Sequence, residues 1–452
     1  VIGASELVKD LCETDFKEEF VLTGNVEYIV KAAGNIKLIL DSEEDCKRIV
    51  FQFPKYAMEK APGITLSQAV VKCESDDMTE DRRKLEDRLR AQRNSPCKSL
   101  TLGSVAMHRS PLTGLPAVPH KDNEPLDEGV LRKREILEEK KVNKTLFQIF
   151  TGEEDVKYRD MGLEIKDLTG KNDWIAIIHA DGNSLGEVVK ALGSKGREEL
   201  CDFSKNLDEA TKQAARKAYK KIKSQYDFKK HPIRPIVLGG DDLTVICRGD
   251  IAIEFVKEYI DQFEQETQKL PSNKLTACAG IAFIKSSYPF SFGYELAETL
   301  CDMAKKDAKS DVIKDANGGE VPSCLMFHKV QSSFVEDYEA IKQKELTLKD
   351  GSSLCYGPYY LTPQEGRWTI EKLCKTAADF AMEKNNSVKT SVREWLTKMH
   401  EDTEAAKQYS ERVKAISVDK ELFECATTES VRKSYPAYDI LSLVTIKNQK
   451  TR

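Results

Sequence analysis

Three aspartates stand where short apolar segments end. Asp181 follows the run 174–179 (WIAIIH), and Asp241 and Asp242 close a Gly239-Gly240-Asp241-Asp242 turn between apolar runs at 235–238 and 243–247. Clustered carboxylates repel one another, and a divalent cation resolves the repulsion. Mg²⁺ (or Mn²⁺) takes oxygen ligands, keeps several waters, and is typically held by one or two carboxylates together with substrate phosphates. Such ions activate an attacking hydroxyl and neutralise a leaving pyrophosphate. Asp181, Asp241 and Asp242 are therefore the expected catalytic residues and metal ligands. Gly239 and Gly240 remove side chains where a nucleotide must approach the backbone. Gly182, Asn183 and Ser184 open a helix whose amides suit phosphate oxygens. Lys305, Lys306 and Lys309, on a later helix, could hold a triphosphate tail. Each feature has a plainer reading taken alone. Gly-Gly-Asp-Asp is good hairpin chemistry, an aspartate before a helix is a common cap, and lysines at a helix end are usually a solvated face. Their combination points to a metal–nucleotide site. The six histidines, His108 and His179 among them, show no metal-ligand spacing and read as incidental.

The elements around these residues give the reason they should meet. Residues 171–330 read as strand 174–179, helices 185–192 and 198–226, strands 235–238 and 243–247, helix 251–269 and strand 275–284. This is a βαββαβ order, the ferredoxin-like split unit. In it the first two strands run parallel with the third between them. The end of the first strand and the turn joining the second and third then lie at one edge. An amphipathic helix is expected over 290–310.

The first ~73 residues read as a smaller copy: a helix at 5–11, strands at 26–30 and 36–40, a helix at 42–58 and a strand at 64–71. Residues 29–39 (IVKAAGNIKLI) line up with 236–246 (IVLGGDDLTVI), but the acids of the second copy are missing from the first. A duplicated domain with one live and one dead site follows, the alternative being chance similarity of two hairpins. The first copy's opening strand would lie before Val1, which implies truncation there. Residues 74–170 read as an inter-domain insert, with a solvated charged helix over 74–93, a Pro/Gly loop region and a helix over 127–140. Residues 331–452 read as connecting strands and a C-terminal helical domain with Trp368, Leu373, Ala377, Phe380, Trp395, Leu396 and Met399 in its core. The fold class is thus α+β: two ferredoxin-like palms, a connecting insert and a helical bundle.

With 452 residues, 40% hydrophobic and 32% charged, the chain is long enough for several domains and too apolar for wholesale disorder. Its net charge of −5 argues against coating duplex DNA as the main task. No run approaches a membrane span. The twelve cysteines form no C-x2-C pair, so a zinc site is not expected, and they read as reduced thiols of a cytoplasmic protein.

The ADGNSLG turn at 180–186, the GGDD hairpin at 239–242 and the LAETLCDMAKK helix at 296–306 resemble the second palm of the large polymerase/cyclase subunit of type III CRISPR effector complexes. The resemblance extends to the degenerate first palm and the C-terminal helices. It implies conversion of ATP into a second messenger, cyclic oligoadenylate first among the products, in antiviral defence. Asp181 and Asp241 would hold Mg²⁺, Asp242 would assist the second metal or the 3′-hydroxyl, and Lys305 would contact phosphate. Partners would be guide or target RNA and other effector subunits. Asn183 stands where that family often has a second acid. Cys73 and Cys97 do not form the family's zinc cluster, and no histidine–aspartate nuclease motif appears. A non-catalytic scaffold and a standalone defence cyclase are the alternatives.

Overall fold

A computed structural model describes residues 2–32, 34–73, 79–95, 106–119, 124–140, 142–154, 165–169, 173–193, 197–226, 230–270, 274–331, 337–416 and 420–447. Ala33 and Cys97 lie outside the described residues. The chain forms two compact units, Val1–Leu146 with Gly186–Lys205, and Phe147–Leu185 with Asn206–Arg452. In the first unit the helix Glu128–Lys140 packs on the helix Ile2–Glu13. Ile136 there joins Leu7, Leu11, Phe16, Phe20, Ile49 and Phe53 in one core.

In the first unit a hairpin of Val26–Ala32 and Asn35–Leu40 is followed by the helix Glu43–Lys60, capped by Ser42. The strand expected at 64–71 does not form. Its backbone finds side chains instead of a ladder: the Gln68 amide donates to Gln92 Oε1 at 2.5 Å, and the Val70 carbonyl accepts from Arg88. Both partners lie on the charged helix Thr79–Asn94. The unit's main sheet therefore has two strands rather than the four of a complete palm.

The second unit carries the full pattern. Its strands are β1 (Trp174–Gly182), β2 (Ile233–Gly239), β3 (Asp242–Arg248), β4 (Ala277–Lys285), β5 (Cys324–Lys329) and β6 (Tyr359–Tyr360). They lie in the order β6-β5-β4-β1-β3-β2. β1 is antiparallel to both β3 and β4, so β1 and β2 are parallel with β3 between them. In chain order the helices α1 (Leu185–Gly193) and α2 (Arg197–Gln225), whose residues Gly186–Lys205 are grouped with the first unit, connect β1 to β2, and α3 (Ala252–Thr267) connects β3 to β4. The βαββαβ order and its strand arrangement are as expected. β1 is covered on both faces, with Ile175, Ala176, Ile177, Ile178 and Ala180 all buried. That explains its unbroken apolar run.

The next helix, α4 (Phe290–Ala308), lies across β4, β1 and β5. Its buried stripe is mostly small: Gly293, Ala297, Cys301, Ala304 and Ala308. Two glycines set the contact distance. A Cβ on Gly280 of β4 would come within 1.9 Å of the Ala297 carbonyl oxygen, and one on Gly293 within 2.7 Å of Ile177 Cδ1. Beyond the sheet, the helices Ile370–Ala381, Asn386–Glu401, Thr403–Ile416, Lys420–Thr427 and Ala437–Lys447 form the expected helical region. Trp368, Leu373, Ala377, Phe380, Trp395 and Met399 are buried as expected, whereas Leu396 is only half-buried.

The two aligned hairpins share an irregularity that composition could not show. The register of the first shifts between Tyr28 and Val30, and that of the second between Pro235 and Val237. The skipped residues, Ile29 and Ile236, are aligned partners in the repeat. Such shifts tend to be kept among related sheets.

Candidate active site

Alternation along a strand puts residues two apart on one face. His179 and Asp181 therefore share the face of β1 that carries α4. Across the ladder His179 is paired with Thr244 and Ala180 with Leu243. One step further, Asp181 faces Asp242. The turn Gly240-Asp241 closes the β2–β3 hairpin beside them, with Gly240 at a φ of 64°. Gly182 is needed for close approach, since a Cβ there would lie 3.1 Å from the Asp241 side chain.

The three acids meet as expected. Asp241 shares a proton-mediated contact with Asp181. Its carboxyl is pushed up to about 7 by burial first, then by that hydrogen bond and by the charges of Asp181 and Asp242. Asp242 is also raised, by burial and by Asp181, against the pull of His179 and Lys305. Lys305 of α4 forms an ion pair with Asp181. Burial opposes its charge, but the bond to Asp181 outweighs this and holds its pKa above the usual lysine range.

The donor atoms of His179, Asp181 and Asp242 all lie within 4.8 Å of one another. Two carboxylates, an imidazole and a raised neighbouring acid form a donor set that a divalent cation fits. Asp241 is bonded to Asp181 but stands outside this converging trio.

The remaining expected residues divide. Gly239 and Gly240 form the hairpin end, and Ser184 occupies the left-handed region at a φ of 57°, backbone strain of the kind that gathers at functional sites. Asn183 turns away: it is 2% exposed, and its amide donates to Thr276 Oγ1 at 3.0 Å. Lys306 and Lys309 are exposed, Lys309 serving as the C-cap of α4.

Sequence reasoning missed three groups. His179 was legible only from its i−2 relation to Asp181. Asp208 and Thr211 of α2 grip the turn: Asp208 Oδ1 accepts from the Gly240 amide at 3.0 Å, and Thr211 Oγ1 donates to the Gly240 carbonyl at 2.6 Å. No local signal marks them. The Tyr259 hydroxyl of α3 is buried with no hydrogen-bond partner among the described residues. Burial and the three aspartates hold its pKa well above the usual tyrosine value.

Residues 174–314 match the family model described as Cas10/Cmr2, second palm domain. This segment is similar to the second palm of Cas10/Cmr2 proteins. No curated protein matches the sequence. Among solved structures, the apo Csm1–Csm4 cassette aligns with a TM-score of 0.57 at 14% identity, covering 99% of this chain and 66% of that one. The cassettes in complex with pppApA and with cA3 each align at 0.55 and 12% identity, covering 99% of this chain. The chain spans 65% of the length of either of these two. At such identities the likeness is one of fold, and it extends beyond the palm to nearly the whole chain.

Proposed function

We propose that the palm is a divalent-metal nucleotidyltransferase that joins nucleotides, ATP first among them, into an oligonucleotide second messenger, cyclic or linear. The observation that carries this is the rung of Asp181 and Asp242 with Lys305 beside it, at the open end of a Cas10/Cmr2-like palm. Structures of the same fold with pppApA, cA3 and cA4 support the same reading. The chain would act as a subunit of a type III CRISPR-like effector with RNA and protein partners, in the cytoplasm. Among the described residues no helix is long and apolar enough to cross a membrane.

Bound at Asp181 and Asp242, Mg²⁺ or Mn²⁺ would supply the positive charge needed for attack of a 3′-hydroxyl on an α-phosphate with departure of pyrophosphate. The chain's own part is positioning. Gly239 and Gly240 leave the hairpin end without side chains where a nucleotide enters. The ammonium of Lys305, paired with Asp181, exchanges that carboxylate for a phosphate oxygen. Asp208 and Thr211 fix the turn that carries Asp241 and Asp242.

The test is incubation of the purified chain with ATP and Mg²⁺ or Mn²⁺, with and without candidate RNA, read by mass spectrometry beside an Asp241→Ala/Asp242→Ala control. A phosphodiester product lost in the control is expected. Absence of product together with absence of metal-dependent ATP binding would replace the reading by that of a scaffold.

A further inference from the structure

The proposed metal reading takes only carboxylates as ligands, yet the converging trio contains an imidazole. We propose that His179 is a direct nitrogen ligand, making this a histidine–two-carboxylate site that favours Mn²⁺ over Mg²⁺; the proposal rests on the metal reading above. Among the described residues, His179, Asp181 and Asp242 are the one group of metal-ligating side chains that converges in this way. An ion about 2.1–2.2 Å from each donor sets the donors roughly 3–4.4 Å apart. The trio, with its donors within 4.8 Å of one another, stands close to that spacing.

The ring is held for the task. His179 Nδ1 lies 3.1 Å from Thr244 Oγ1, its cross-strand neighbour. Thr244 is 1% exposed, so its hydroxyl is fixed in the sheet. In the tautomer in which Nδ1 donates to Thr244, Nε2 keeps its lone pair for a cation. This is the supporting arrangement of metal-bound histidines, in which the second ring nitrogen is anchored by a hydrogen bond that sets tautomer and orientation. Tyr294 of α4 packs edge-on against the ring at 6.0 Å between centroids. The imidazole thus stands half-buried beside two carboxylates.

The chemistry of the donor set decides the ion. Mg²⁺ demands near-ideal octahedral oxygen coordination and gives up water reluctantly. Mn²⁺ shares the carboxylate ligands of Mg²⁺ but, as the first member of the Irving–Williams series, takes a nitrogen ligand more readily than Mg²⁺ does. A nitrogen ligand in this place raises affinity for Mn²⁺ more than for Mg²⁺.

The deciding experiment uses Mn²⁺ alone, without nucleotide, on the full chain, with pulsed electron paramagnetic resonance as the readout. Expected is a ¹⁴N modulation from one directly bound imidazole, replaced by the ¹⁵N pattern when the protein is labelled with ¹⁵N-histidine. His179→Gln should lose the modulation and weaken Mn²⁺ binding about tenfold, the scale of losing one group that supports a bound metal, while Mg²⁺ binding changes less than twofold. Bound Mn²⁺ that is released by Asp181→Asn but shows no nitrogen coupling would overturn the ligand role of His179 and leave the metal reading standing. Failure to find any Mn²⁺ that Asp181→Asn releases would overturn both. The labelled wild-type chain answers the question even if His179→Gln does not fold.

Discussion

Lys305 is the residue whose environment says most about how the site waits. Its ammonium is largely buried and paired with Asp181, so it offsets part of the charge that a cation would otherwise neutralise. Lys305→Met should leave the acids without that partner. The expected loss is about 1–3 kcal/mol of stability in the absence of metal, the scale of a hydrogen bond to a charged group. Thermal unfolding with and without Mn²⁺ checks this, and the ion should narrow the gap between variant and wild type. Asp181→Asn acts differently, because it removes an acid while keeping the shape. Nucleotide joining should fall at least ~10³-fold, as expected when several kcal/mol of charge stabilisation are withdrawn. Retained turnover in that variant would exclude Asp181 from the machinery.

At the scale of elements, the site depends on two contacts between helices and the sheet edge. One is the grip of α2 on the hairpin turn. Thr211→Val preserves shape and removes the donor to the Gly240 carbonyl. A cost of about 1 kcal/mol is expected for the unpaired carbonyl. Turnover should drop by ~10–100-fold as the aspartates lose their setting, with fold retained by circular dichroism. The other is the seat of α4 on β4. At Gly280 a methyl group would strike backbone atoms of Ala297 and Cys301, which cannot swing aside. Gly280→Ala should therefore destabilise by ~1–3 kcal/mol or more, the range for overpacking. It should also move Lys305 away from Asp181, so that Lys305→Met adds less in this background than in the wild type. A double-mutant cycle on unfolding free energies measures that coupling.

For the molecule as a whole, stability should depend on pH through a group far from the chemistry. Asp439 is buried, and its pKa is raised to about 7 by that burial, against the hydrogen bond from Tyr359 and those from the Tyr356 and Gly357 amides. The Tyr359 hydroxyl donates to Asp439 Oδ2 at 2.6 Å. In the unfolded chain an aspartate ionises near ~3.9. Between there and about 7 the folded state alone keeps the proton. Unfolding then releases a proton, so stability falls as pH rises through this window. Asp307, held low by Arg367, Tyr360 and Arg432 despite burial, works in the opposite sense and weakens the fold only as pH falls towards the lower carboxylate range. Asp439→Asn keeps an acceptor for Tyr359 and removes the titration. Thermal unfolding from pH 5 to 8 should show a flatter slope in the variant than in the wild type.

Much of this was open to reading in the chain itself. Apolar runs ending in Asp181 and at Gly239–Asp242, alternating with helical periodicity, determined the βαββαβ order. That order, taken as the ferredoxin-like unit, placed the three acids at one edge. The amphipathic pattern of α4 and the aligned hairpins were likewise local patterns. Tertiary structure alone decided the rest. The run at 64–71 has strand-like residues, but a strand needs a neighbour, and its backbone pairs with Gln92 and Arg88 instead. Asn183 has the spacing of a phosphate-binding residue, but Thr276 and burial take its side chain inward. Asp208 and Thr211 carry no signal, since their role exists only where α2 passes the turn. His179 looked incidental in sequence and becomes a candidate ligand only because β3 brings Asp242 and Thr244 to its side of the sheet. Periodicity and strand order are properties of a segment, whereas hydrogen-bond partners and donor convergence belong to atoms distant in the chain and are settled only by packing.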